Sequence, residues 1–188
     1  MKKLCVLVVC IIGFGLVLHA QSTREIFLWD VAQNKRTTIP KNENFHKLIV
    51  FLSPHCPMCK SYTKLLREFS EEYDRQLVIY GVFSGKGDAD EDILTFKEKY
   101  RLKFDLLRDA EFQLTHLYQA TVTPEVVLLN KQNKVVYQGA IDNWLEGLGK
   151  QRIRATKTYL KDALAESLIN LPVHLARTEA QGCIINDY

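Results

Sequence analysis

No block of like charges occurs in this sequence. Two of the charges behind its net +3 are Lys2 and Lys3, so the rest of the chain is close to neutral. That distribution gives no pointer to nucleic acid or an anionic lipid surface as a partner. Internal repeats and low-complexity linkers are also lacking, which excludes a repeat array or a string of tethered modules. A length of 188 residues suits one domain with small additions. Cysteine is scarce, with five in all and three beyond the first twenty residues. Three cysteines cannot build a framework of structural staples. A second Cys-x-x-Cys or a His-x-x-His is missing, so a tetrahedral zinc site is short of ligands. What is present is an ordinary globular composition, 47% hydrophobic and 25% charged. A largely disordered chain is thereby excluded.

The first twenty residues read as a secretory signal. Lys2 and Lys3 form a positive start, Leu4 to Leu18 is an apolar run, and Ala20 offers a small residue for cleavage. The run has the length of a signal core and is short for a membrane span. An uncleaved anchor is the alternative. Cys10 follows the bulky Val9, which speaks against lipid attachment. The expectation is an exported protein of the periplasm or cell envelope that touches a membrane only if this segment is retained. Cys5 and Cys10 leave with the signal, and Cys56, Cys59 and Cys183 remain. In an oxidising compartment a close, exposed pair is placed to cycle.

Ile26 to Val31 and Lys35 to Ile39 read as a hairpin turned at Gln33-Asn34. Leu48 to Ser53 is a continuous apolar run, as expected of a strand buried on both faces, and Pro54 ends it. Cys56 to Tyr73 has helical spacing, with Leu65, Leu66 and Phe69 on one face. Leu77 to Phe83 reads as a second buried strand, and Ser84 to Asp90 as a loop rich in Gly and Asp. Asp92 to Tyr100 and Glu111 to Tyr118 read as helices, with a short apolar piece, Phe104 to Leu107, between them. Glu125 to Leu129 and Val135 to Gln138 form a second hairpin. Arg154 to Leu168 reads as a long amphipathic helix closed by Pro172. This order favours an α/β fold with a mixed central sheet and helices on both faces. The division expected is a signal peptide over 1–20, a domain over 21–170 and a tail over 171–188 that carries Cys183.

The sharpest feature is Ser53-Pro54-His55-Cys56-Pro57-Met58-Cys59. A buried strand delivers two cysteines to the first turn of a helix. The unpaired N–H groups and partial positive charge of that turn stabilise a thiolate at Cys56. Pro57 suits the turn because its missing N–H is not needed there. Cys59, one turn on, is near enough to attack a mixed disulfide at Cys56. Cys56 is thus the expected nucleophile and Cys59 the resolving thiol. Half a zinc site and an inert structural disulfide are the plainer alternatives.

The strand with Cys56-Pro57-Met58-Cys59 resembles the active site of the thioredoxin superfamily. The run Val122-Thr123-Pro124-Glu125-Val126-Val127-Leu128-Leu129 resembles its second hallmark, and Asn130 to Gly139 continues the likeness as the following hairpin. The nearest branch is that of secreted redoxins and cytochrome-c-maturation thioredoxins, over about residues 24–170. The resemblance implies a thioredoxin fold and thiol–disulfide oxidoreductase activity, with reduction of cell-envelope proteins favoured over strong oxidation. It implies protein thiols or disulfides and an upstream electron donor as partners, with no cofactor and no metal. It makes Pro124 a cis-proline facing the cysteines, and Thr123 the residue whose backbone pairs with a substrate chain.

Departures are His55 where a tryptophan is usual, and no acidic residue in Leu48 to Leu52. His55 either places a positive charge near Cys56 or is a plain exposed residue. Glu125 either serves Cys59 in proton transfer or is a solvated strand residue. Cys183 either is a third redox thiol or packs as a small apolar side chain. Trp29, Trp144, His46, His116 and His174 read as packing or surface residues. A peroxiredoxin-type peroxidase stays open because Ser53 stands three residues before Cys56, where a hydroxyl is required. Delivery of Cu(I) by a protein of this fold also stays open, since soft cysteine ligands suit that ion.

Overall fold

The computed structural model describes residues 25–41 and 43–186. The proposed signal segment, residues 1–20, lies outside them. In chain order the elements are β1 (Leu28–Asp30), β2 (Lys35–Thr37), β3 (His46–Phe51), α1 (Pro57–Glu72), β4 (Leu77–Ser84), α2 (Asp90–Tyr100) and β5 (Asp105–Asp109). There follow α3 (Gln113–Tyr118), β6 (Val122–Thr123), β7 (Glu125–Leu129), β8 (Val135–Gly139), β9 (Leu145–Gly147), β10 (Lys150–Gln151), α4 (Tyr159–Leu168) and β11 (Cys183–Ile184).

Seven strands form the central sheet in the order β2-β1-β5-β4-β3-β7-β8. The three middle strands, β5, β4 and β3, run parallel, because each step between them is bridged by a helix. The two flanking hairpins add antiparallel strands, with β7 against β3 and β1 against β5. β3 is buried along its whole length, as its uninterrupted apolar run requires. Its side chains alternate between the two faces. Leu48 and Val50 join the core built with Leu66 of α1, Ile93 of α2 and Leu164 of α4. Ile49 and Phe51 join the opposite core with Leu114 of α3. The mixed sheet with helices on both faces is the arrangement expected from the order of elements. His46, at the start of β3, is buried and hydrogen-bonds Ser167 of α4 through Nε2 at 2.9 Å.

Two expectations shift. The piece read over Phe104 to Leu107 leads into a full strand, β5, which begins at Asp105. The last helix begins at Tyr159 rather than Arg154, because the backbone amides of Thr156 and Lys157 donate to Oδ1 of Asn143, outside any helical ladder.

The segment after α4 turns back onto the domain. Gln138 of β8 exchanges bonds with it, donating its N–H to the Ala176 carbonyl and accepting the Thr178 N–H at its own carbonyl, each at 3.0 Å. β11 then pairs antiparallel with β6. Gly139 makes the first contact possible. It sits at φ +140°, and a Cβ there would lie 2.2 Å from the Thr178 carbonyl oxygen. Gly139→Ala is therefore expected to destabilise the protein by roughly 1–3 kcal/mol through backbone strain and a loosened tail. A urea unfolding series measures this, and an unchanged midpoint would refute the contact's importance.

Candidate active site

β3 ends where Pro54 stops the strand, and the chain turns through a bond from Cys56 N–H to the Ser53 carbonyl, 3.2 Å. Cys56 takes the capping position with extended backbone, Pro57 is the first helical residue, and no side chain caps the helix. The Cys56 sulfur thus stands at the positive end of a helix of 16 residues whose first turn carries no acidic residue. The geometry is the one that favours a thiolate there when the residue is reduced.

In this structure Cys56 is joined by a disulfide to Cys183, 127 residues away, and Cys59 is a free buried thiol. The pairing expected from spacing, Cys56 with Cys59, is not the one formed. The physical reason is the tail: β11 lies on β6 with Cys183 opposite Thr123, which brings Cys183 Cα within 6.0 Å of Cys56 Cα. Cys183 is therefore a disulfide partner of Cys56 and not a free thiol packed as a small apolar side chain. The tail also covers the nucleophile, for Cys56 is only 2% exposed and Cys59 is 0% exposed. Neither sulfur is open to solvent in this form.

Thr123–Pro124 is a cis bond. The Thr123 carbonyl lies 3.1 Å from Cys56 Sγ, so this strand end does face the nucleophile. Burial pushes the Cys59 thiol up to about 12, and the negative charge of Asp88 adds to it. Hydrogen bonding from the Ser53 backbone and the Thr123 side chain pulls it partway back. At neutral pH Cys59 is a protonated thiol.

A carboxylate approaches the cysteine loop from outside β3. Asp88, in the loop between β4 and α2, is half-buried and hydrogen-bonds the Ser53 hydroxyl at 3.4 Å. Partial burial holds its carboxyl above the usual range, with His55 and Ser53 opposing the rise. His55 is exposed and its Nε2 lies 3.7 Å from Asp88 and 3.4 Å from Asp92. Its ring is therefore tied to carboxylates rather than aimed at Cys56. Asp88 was not distinguishable in the sequence from its neighbours Asp90 and Asp92, since nothing in a Gly-rich loop marks which carboxylate turns inward.

Glu125 is buried, which corrects the solvated reading. Its Oε2 accepts from Thr121 N–H at 3.1 Å and its Oε1 from Gln138 Nε2 at 2.8 Å. Both oxygens are engaged in holding β7, β8 and the approach to β6 together. A cavity of about 580 Å³ opens beside Cys56, between the loop Ser84 to Asp88, Phe112 and the tail. Arg108 is bonded to Asp90 and the Gly85 carbonyl, and among the described residues no arginine lines this cavity.

The family model described as AhpC/TSA matches residues 28–138, more than half of the chain. No curated protein matches. Two solved structures of similar size align over most of the chain. One is a hypothetical protein from Sinorhizobium meliloti, 23% identical, with a TM-score of 0.75, covering 86% of this chain and 90% of its own. The other is an uncharacterized conserved protein from Geobacillus kaustophilus, 21% identical, with a TM-score of 0.74, covering 87% and 89%. A secreted Mycobacterium tuberculosis disulfide oxidoreductase aligns at 15% identity and a TM-score of 0.55, over 78% of this chain and 96% of its own. At these identities the likeness is one of fold.

Proposed function

The chain belongs to the AhpC/TSA family, and from that membership and the thiol geometry we propose that it exchanges disulfides with other proteins, as a thioredoxin-like oxidoreductase exported to the cell envelope. The observation that carries the reading is Cys56 at the start of α1, already in disulfide linkage with a peptide strand laid along β6. In the reduced protein the Cys56 thiolate attacks a client disulfide and expels one client thiolate. A second thiol of the protein, Cys59 or Cys183, then attacks Cys56 and releases the other client sulfur. Two electrons pass to the client, the protein is left with one disulfide, and an upstream donor must restore the dithiol. Thr123 offers its backbone to the client chain beside Pro124. Export is supported by the signal-like start of the sequence and accords with the secreted character of the mycobacterial oxidoreductase.

A peroxiredoxin-type peroxidase is the second reading, and the AhpC/TSA match supports that fold as well; two observations weigh against it. The Ser53 hydroxyl donates to Asp88 and accepts from the His55 amide, and among the described residues no arginine lines the cavity beside Cys56. The deciding experiment offers the reduced protein a disulfide-bonded client protein and, separately, hydrogen peroxide. Client reduction is expected to fall to background in Cys56→Ser. Fast peroxide consumption with no client reduction would overturn the proposal.

A further inference from the structure

The tail does more than supply a third sulfur. It is bound in the manner of a guest peptide. Cys183 stands opposite Thr123 and Ile184 opposite Val122 in an antiparallel register. The Ile185 amide donates to the Thr121 carbonyl at 2.9 Å. The Thr123 hydroxyl donates to the Cys183 carbonyl at 3.5 Å. Backbone pairing of this kind holds any extended chain, and side chains at alternate positions add selectivity.

Three positions of the tail define that selectivity. A Cβ at Gly182 would lie 2.3 Å from the Thr123 carbonyl oxygen and 2.6 Å from its carbon. These are backbone atoms of the receiving strand and cannot swing aside, so the residue before the cysteine has to be glycine. Ile184 is 77% exposed, so the residue after the cysteine is unrestricted. Ile185 packs against the second core cluster, so the next position wants an apolar side chain.

Resting on the thiol–disulfide reading above, we infer that Gly182–Ile185 is a tethered stand-in for the client, and that the client is an extended segment of the form Gly-Cys-x-aliphatic seated on β6 in the tail's place. The tail and a client then compete for one strand edge. The tail holds the advantage of being attached, which gives it an effective concentration of the order of mM.

The test uses the reduced, full chain and two synthetic peptides, Gln-Gly-Cys-Ile-Ile and Gln-Val-Cys-Ile-Ile, each as a mixed disulfide with thionitrobenzoate. The Cys56 thiolate attacks the peptide sulfur, the bond from that sulfur to the reporter breaks, and the coloured reporter thiolate leaves with the electron pair. Cys183→Ser leaves the tail seated but unable to react, and Gly182→Val, made throughout on that Cys183→Ser background, unseats the tail without adding a free thiol that would release reporter by itself. With micromolar peptide, Gly182→Val is expected to react with the glycine peptide about tenfold or more faster than Cys183→Ser does, because the tethered competitor is gone. In Gly182→Val the glycine peptide is expected to outpace the valine peptide by a similar factor. Should Gly182→Val not fold, Cys183→Ser at millimolar peptide decides the glycine preference alone. Equal rates for the two peptides, or no gain on unseating the tail, overturn the inference while leaving thiol exchange intact. Dithiobis-nitrobenzoate, which has no peptide to seat, is the control. If it too fails to react with Cys56, the thiol-exchange reading falls and this inference with it.

Discussion

Replacing Cys59 and Cys183 together by serine is expected to leave Cys56 locked to its clients as mixed disulfides that are visible on a non-reducing gel. Cys59→Ser alone should accumulate far less, by about tenfold or more, because Cys183 is tethered beside the same sulfur at high effective concentration. The structure puts Cys183 in bonding contact with Cys56, so a trapping experiment that removes only Cys59 leaves a competent resolving thiol behind. Cys56→Ser should trap nothing in either background. Equal trapping by the single and double variants would mean that Cys183 does not resolve client adducts. An absence of adducts in both would remove the thiol-exchange proposal itself.

The second large effect is on pH. Cys59 can displace Cys183 from Cys56 only as a thiolate, forming a Cys56–Cys59 disulfide and freeing the Cys183 thiol with no net oxidation. With its thiol pushed up to about 12, the thiolate fraction, and with it the rate of this rearrangement, should rise about tenfold per pH unit from 7 upward. Acid quenching followed by mapping of the disulfides by mass spectrometry measures the rate. A flat profile would show that Cys59 is not the attacking group. Asp88→Asn removes a charge that holds the thiol proton in place, so it should speed the step at pH 8. A slower step would instead make the Asp88 carboxylate the proton acceptor. The same burial bears on stability. The folded protein keeps a proton that the unfolded chain releases above about 9. The contribution of this neutral thiol is complete below that value and is lost as pH rises toward 12. Cys59→Ala should flatten that decline.

The parts of the fold that were legible are those whose signal is local. The apolar run of β3 and the spacing of Leu66 and Phe69 in α1 name a strand and a helix without reference to anything distant. Cys56, Cys59 and Pro124 lie in motifs short enough to be recognised as they stand. β5 was less legible because Asp105 and Asp109 bound only two buried leucines, and its burial comes from neighbours rather than from its own pattern. The inward turn of Asp88 depends on the conformation of a loop. The burial of Glu125 depends on Gln138 of the adjacent strand. The pairing of Cys183 with Cys56 depends on a polar tail finding β6 through two glycines, Gly139 and Gly182, whose role is visible only once the opposing carbonyls are in place.

The Cys56–Cys183 link closes a ring of chain that runs from the start of α1 to the first residue of β11 and, among the described elements, leaves the first three strands outside. By loop-closure entropy a ring of this size restricts the unfolded chain by about 5 kcal/mol, a large part of the stability of an ordinary domain. The bond that must open for chemistry is thus also the clasp on nearly the whole domain. The oxidised form is thus expected to resist proteolysis better than the dithiol form that attacks a client, and limited proteolysis with and without reductant measures the difference.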